Sequence, residues 1–138
     1  MRVADDDQGA IADLRCDDTP AVSDQLARLR QALAGWASHV GVPADIVADV
    51  ILAADEAMSN VVSHAYAGRP GTFDLHAVYT TDDIRVTVRD HGRWRPTARD
   101  QDPLHGRGLL LIRALADGVT VDHGPDGTTV SMVWSLHP

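Results

Sequence analysis

Val22, Leu26, Leu29, Leu33, Trp36 and Val40 recur at spacings of four and three. An apolar stripe with that period requires a helix with one buried face. Further along, Ile84, Val86 and Val88 alternate with Arg85, Thr87 and Arg89. Alternation of that kind requires a strand with one buried face. The chain therefore carries helical and strand patterns in separate blocks, and a fold must bury both sets of apolar faces against each other.

The blocks can be followed in order. Residues 10–16 are a weakly alternating candidate first strand, and Thr19-Pro20 offers a helix start. The first helix then ends near Gly41. Pro43 opens a second helix, striped by Ile46, Val50, Ala53 or Ala54, Ala57 and Val61, which stops before Gly68 and Pro70. Phe73–Tyr79 and Ile84–Asp90 alternate on either side of Thr81-Asp82-Asp83 and read as a hairpin. Pro96 and Pro103 mark residues 94–105 as a loop. Leu109–Ala116 is a short apolar helix, and Val119–Asp122 and Thr129–Leu136 form a last hairpin around Gly124-Pro125-Asp126-Gly127. Helix, helix, hairpin, loop, helix, hairpin is the order of an α+β fold, a two-layer sandwich with a mixed, mostly antiparallel sheet and helices on one face.

At 138 residues the chain forms one domain with a single core. Its net charge of −8 argues against nucleic acid and anionic membrane as partners. One cysteine, Cys16, allows no internal disulfide, which fits a reducing cytoplasm. The first residues are acidic, with no apolar run of the kind that a signal peptide needs. They read as a frayed terminus.

Against this background one pair of residues stands out. All acidic residues are Asp except Glu56, and all basic residues are Arg. Glu56 and the only asparagine, Asn60, lie four residues apart on the second helix. That spacing stacks them on one helix face. A carboxylate that can take a proton beside an amide oxygen that can hold a hard metal ion is suited to phosphate chemistry. Three further pieces follow in order: Asp90-His91-Gly92 at a strand end, Gly106-Arg107-Gly108-Leu109 at a helix start, and Gly127-Thr128-Thr129 at a strand start. Taken singly, each is also ordinary turn or loop chemistry. A Gly-x-Gly before a helix additionally offers backbone N–H groups to phosphate. The seven histidines show no His-Glu-x-x-His spacing, so zinc is not indicated.

As an ordered set, these segments resemble the Bergerat-fold ATP-binding domain of gyrase, MutL and histidine kinases. Within it they are similar to the anti-sigma factor serine kinases typified by RsbW and SpoIIAB. The carrying stretches are Ala54–Asn60 through His64-Ala65-Tyr66, Val88–Gly92, Gly106–Leu109 and Gly127–Val130. The resemblance implies a single ATP-binding kinase domain over residues 10–138, preceded by a disordered acidic terminus over 1–9. It implies ATP and Mg²⁺ as cofactors, with Asn60 holding the metal and Glu56 acting as general base. Asp90 would accept a hydrogen bond from the adenine amino group, and Gly92 would let the backbone pass close to the base. Gly106, Arg107, Gly108 and Leu109 would frame the phosphates. Thr128 would close the adenine pocket, or Thr129 if the strand slipped by one residue.

The implied partners are a serine-bearing anti-sigma factor antagonist, a sigma factor and a second copy of the chain. The family often has a second glycine two residues after Gly92, where this chain has Trp94. That ring would stack near the nucleotide, pack the lid or obstruct the site. Arg93, Arg95 and Arg99 lie in the same candidate lid. Two other readings are a non-catalytic ATP-binding partner-switching module, motivated by Trp94, and the ATP-binding domain of a histidine kinase. The last is the weaker, because no spare helical hairpin presents a phospho-acceptor histidine.

Overall fold

The structure is a computed structural model that describes residues 2–3, 13–93 and 107–137, with the backbone alone at Arg2, Val3 and Arg107. Strand β1 (Arg2–Val3) is followed by β2 (Leu14–Pro20), α1 (Leu26–His39), α2 (Ala44–His64), β3 (Thr72–Tyr79), β4 (Asp83–Asp90), α3 (Arg107–Leu115), β5 (Gly118–Gly124) and β6 (Gly127–Ser135). The six strands form one sheet in the order β1-β2-β3-β4-β6-β5. Every pairing among the described residues is antiparallel. The α+β sandwich read from the sequence is present, without the parallel pair that a mixed sheet would need.

Alternation decides which side of the sheet is buried. Phe73, Leu75 and Ala77 on β3, Ile84, Val86 and Val88 on β4, and Val130, Met132 and Trp134 on β6 all point inward. The register aligns them in rows: Leu75 with Val88 and Val130, then Ala77 with Val86 and Met132. From the helices, Leu29, Leu33 and Trp36 on α1, Val50, Met58 and Val61 on α2, and Leu109 and Ile112 on α3 complete the same core. The opposite sheet face carries Arg85, Thr87, Arg89 and Ser131 and meets solvent.

The ends of α1 differ from the sequence expectation at one end and follow it at the other. Pro20 does not start the helix; it ends β2, opposite Thr72. A 3-10 turn, Ser23–Gln25, leads into α1. Val22 therefore precedes the helix and is exposed, leaving the apolar stripe to begin at Leu26. At the other end Gly41 takes φ +93°, with Gly41 N–H donating to Ser38 O and Val42 N–H to Ala37 O. This is the left-handed glycine cap of a Schellman motif, closed by buried Val42.

The weak alternation ahead of α1 also has a cause. The β2–β3 register shifts between Cys16 and Thr19. Asp18 takes φ 53° at that bulge, and its N–H donates to Asp74 Oδ1 at 2.8 Å. An extra residue breaks the two-residue period within the strand, which among the described residues runs over Leu14–Pro20 and so overlaps the expected 10–16 at its end. Arg2 and Val3, read as frayed, pair with Arg15 and Leu14. Residues 4–12 lie outside the described residues.

Two measurements check this packing. Leu33 is fully buried, so Leu33→Ala should lower unfolding free energy by about 3 kcal/mol. Arg30 pairs with Asp55 at 2.7 Å on a part-exposed surface, so Arg30→Ala should cost less than about 1 kcal/mol. Chemical denaturation reads both. Burial pushes the Cys16 thiol above its ordinary range. At about pH 8 the native chain should therefore resist alkylation that the urea-unfolded chain undergoes readily.

Candidate active site

The site begins where the buried rows of the sheet turn polar. Asp90 ends β4 opposite Phe73, and Thr128 is the second residue of β6; both are almost fully buried. Asp90 Oδ1 accepts the N–H of Gly92 at 3.1 Å and the N–H of Thr128 at 3.2 Å. One carboxylate oxygen thus orients the loop after β4 and the first residues of β6 together. Glycines make this approach feasible. A Cβ on Gly127, whose φ is +137°, would lie 2.0 Å from Asp90 O. A Cβ on Gly92 would lie 2.1 Å from Ala65 O. The role given to Gly92 in the sequence was passage of the backbone beside a base; the close approach present is to the end of α2.

That end of α2 is tied to the same loop. Arg93 N–H donates to Ala65 O at 2.8 Å. Tyr66 Oη accepts the N–H of His91 at 2.9 Å and donates to Thr72 O. The aromatic ring of Tyr66 also occupies the space that a Cβ at Gly71 would need. Tyr66 therefore braces the C-terminus of α2 against β3 and the Asp90 loop, and this holds the helix bearing Asn60 in register with the sheet.

Glu56 and Asn60 are both half-buried, on the face of α2 that meets α3. A Cβ at Gly108 would lie 2.8 Å from Asn60 Nδ2, 3.2 Å from Asn60 Oδ1 and 3.0 Å from Glu56 Oε2. The missing side chain lets the first turn of α3 rest directly on the pair. The leading N–H groups of a helix have no partner within it, and the helix dipole adds positive potential there. Leu109 is buried in the core, so only its backbone can face the site. Of the candidate lid only Arg93 is among the described residues; Trp94, Arg95, Arg99 and the others through Gly106 lie outside them, as does the side chain of Arg107.

The arrangement separates two neighbourhoods. Asp90, Gly92 and Thr128 form one, lined by a carboxylate that can only accept hydrogen bonds. Glu56, Asn60 and Gly108 form the other, with oxygen donors set beside a helix N-terminus. Among the described residues no group of three or more His, Cys, Asp or Glu is gathered for a metal ion. An amide oxygen and a neighbouring carboxylate fit Mg²⁺, which takes few protein ligands and completes its shell with phosphate and water. Thr129 alternates away from Thr128. With Arg89, Asp122 and Asp126, and with Asp90 and Gly127 of the site itself, it lines a depression of about 210 Å³ at this end of the sheet.

Sequence reasoning missed two contributors. Gly127 acts through backbone approach, which its motif did not specify. His123, on β5, lies with Nδ1 2.7 Å from Thr128 Oγ1. Its only sequence signal is its place in the last hairpin, opposite Thr128.

The histidine kinase-like ATPase domain family matches residues 19–134. A serine-protein kinase RsbW of Staphylococcus aureus is 32% identical over 129 residues, covering 82% of this chain and 80% of the relative. The RsbW sequence of the Newman strain is 31% identical over the same shares. Among solved structures, the RsbU and RsbW domains of a Mycobacterium tuberculosis protein superpose with a TM-score of 0.73 at 25% identity, covering 91% of this chain. This chain spans 33% of that longer one. A blue-light activated histidine kinase of Erythrobacter litoralis superposes with a TM-score of 0.62 at 25% identity, over 83% of this chain and 42% of its own. The family match extends across the elements that carry Glu56, Asn60, Asp90 and Thr128, and with the RsbW relatives it shows that the chain belongs to the histidine kinase-like ATPase domain family, among its RsbW-type anti-sigma factor serine kinases.

Proposed function

We propose that this chain binds Mg-ATP and transfers its γ-phosphoryl group to a serine of an anti-sigma factor antagonist. In the other partner state it would hold a sigma factor. The observation that carries the reading is the contact of Gly108 with both Glu56 and Asn60. It brings a carboxylate, an amide group and a helix N-terminus within one small volume, which supports the reading.

The residues divide the work as follows. The Asp90 carboxylate accepts from the adenine amino group, and Thr128 flanks it. The leading backbone of α3, from Gly106 and Arg107 through Gly108 and Leu109, receives the phosphates. Asn60 holds Mg²⁺, which supplies the positive charge that a chain of net charge −8 lacks. Glu56 takes the proton of the attacking serine hydroxyl while the serine oxygen bonds to phosphorus and ADP leaves. Phosphoryl transfer depends on such positioning more than on covalent help.

Homodimerisation and a cytoplasmic setting belong to the same proposal and rest on the family resemblance. None of the described helices is long and apolar enough to cross a membrane, and the acidic surface fits a protein partner better than nucleic acid.

The test is to incubate the protein with Mg-ATP and candidate antagonists and to look for phosphoserine by mass spectrometry. The wild type should label its cognate antagonist. Glu56→Gln should lower the rate by at least about a hundredfold while retaining nucleotide affinity. Nucleotide binding with no labelled antagonist would favour the non-catalytic switching module instead.

A further inference from the structure

At the site end of the sheet the buried side chains continue as a polar row that crosses three strands. Asp90 closes β4, Thr128 is the second residue of β6, and His123 lies directly opposite Thr128 on β5. Directly opposed residues of an antiparallel pair project to the same face. Here that brings His123 Nδ1 to 2.7 Å from Thr128 Oγ1. Thr128 is almost fully buried, whereas His123 sits at the solvent-exposed rim. The backbone N–H of Thr128 is already committed to Asp90 Oδ1. Its side-chain hydroxyl is contacted by the imidazole from the side away from β4.

We propose that His123 is a positioning residue for base recognition, acting through the Thr128 hydroxyl; this rests on the nucleotide-binding reading above. A threonine hydroxyl has one hydrogen and two lone pairs. Asp90 accepts only, so it can serve the amino group of adenine but not the ring nitrogen beside it, which itself needs a donor. Thr128 is the hydroxyl adjacent to Asp90. When His123 Nδ1 carries a hydrogen and donates it to Oγ1, the threonine hydrogen is directed away from the imidazole and towards the base. When Nδ1 accepts, the threonine hydrogen is spent on the imidazole and a lone pair faces the base. The nitrogen of His123 thus sets the polarity that Thr128 presents, and the donor form matches adenine. His123 touches neither the phosphates nor the reacting atoms in this account, so its effect belongs to binding.

A double-mutant cycle read by calorimetry separates this role from a structural one. The full chain is titrated with Mg-ATP and, separately, with inorganic tripolyphosphate. His123→Ala should weaken Mg-ATP binding about fivefold, in keeping with one lost hydrogen bond. It should leave tripolyphosphate binding unchanged. His123→Asn, whose amide reaches the place of Nδ1, should remain within about twofold of wild type. Thr128→Val should weaken Mg-ATP to a similar degree, and adding His123→Ala to it should have no further effect.

Because His123 is at the rim, the thermal midpoint of His123→Ala should match wild type. Equal loss of tripolyphosphate binding, or full additivity with Thr128→Val, would overturn the positioning role while leaving the nucleotide reading intact. Failure of the wild type to bind Mg-ATP would overturn that reading and this role with it.

Discussion

One buried carboxylate oxygen organises the working end of this fold. Asp90 Oδ1 accepts two backbone N–H groups, from Gly92 and Thr128, that come from segments far apart in the chain. A buried carboxylate is tolerated only where hydrogen bonds replace its lost water. The two amides therefore serve stability and geometry at once. They fix the start of β6 and the start of the loop after β4 relative to each other. Gly92 and Gly127 are required in the same place, because a side chain at either would strike a backbone carbonyl. The row beyond Asp90 ends at Thr128 and His123, so the sheet delivers its polar residues to one corner without a break in its hydrogen-bonded register.

The second constraint is the seating of α2. Its apolar face is committed to the core through Val50, Ala54, Ala57, Met58 and Val61. That commitment fixes its rotation, and rotation alone determines that Glu56 and Asn60 emerge together towards α3. Its C-terminus is pinned by Ala65 O and Tyr66 Oη to the loop that begins at His91. The Asp90–Thr128 corner and the Glu56–Asn60 face therefore share one frame, although they come from different layers. Such preorganisation matters most for a reaction that relies on positioning.

Much of this was legible from residue types and spacing. The periods of four-and-three and of two located α1, α2 and the two hairpins. The isolated Glu56 and Asn60 pointed to the face of α2 that meets Gly108 of α3. What escaped had specific physical causes. The β2 bulge at Asp18 needs a left-handed backbone that no glycine announced. Val22 obeyed the helical spacing yet precedes the helix, because Pro20 completes a strand edge first. Met58 was overlooked in the apolar stripe of α2, and it is fully buried. His123 depends on cross-strand register, and register is set by the turn at Pro125-Asp126, which spacing along the chain does not report. The glycines were legible as glycines, but the atoms they approach became evident only from the fold.

The central claim is that α2 and the sheet end together form a Mg-ATP site whose metal ligand is Asn60. Calorimetric titration with ATP, with and without Mg²⁺, tests it most directly in wild type and Asn60→Ala. The account predicts saturable wild-type binding that weakens at least about tenfold when Mg²⁺ is withdrawn. It predicts that Asn60→Ala binds weakly and with little response to the metal. Wild-type protein that fails to bind ATP, or an Asn60→Ala variant that keeps the full Mg²⁺ dependence, would contradict it.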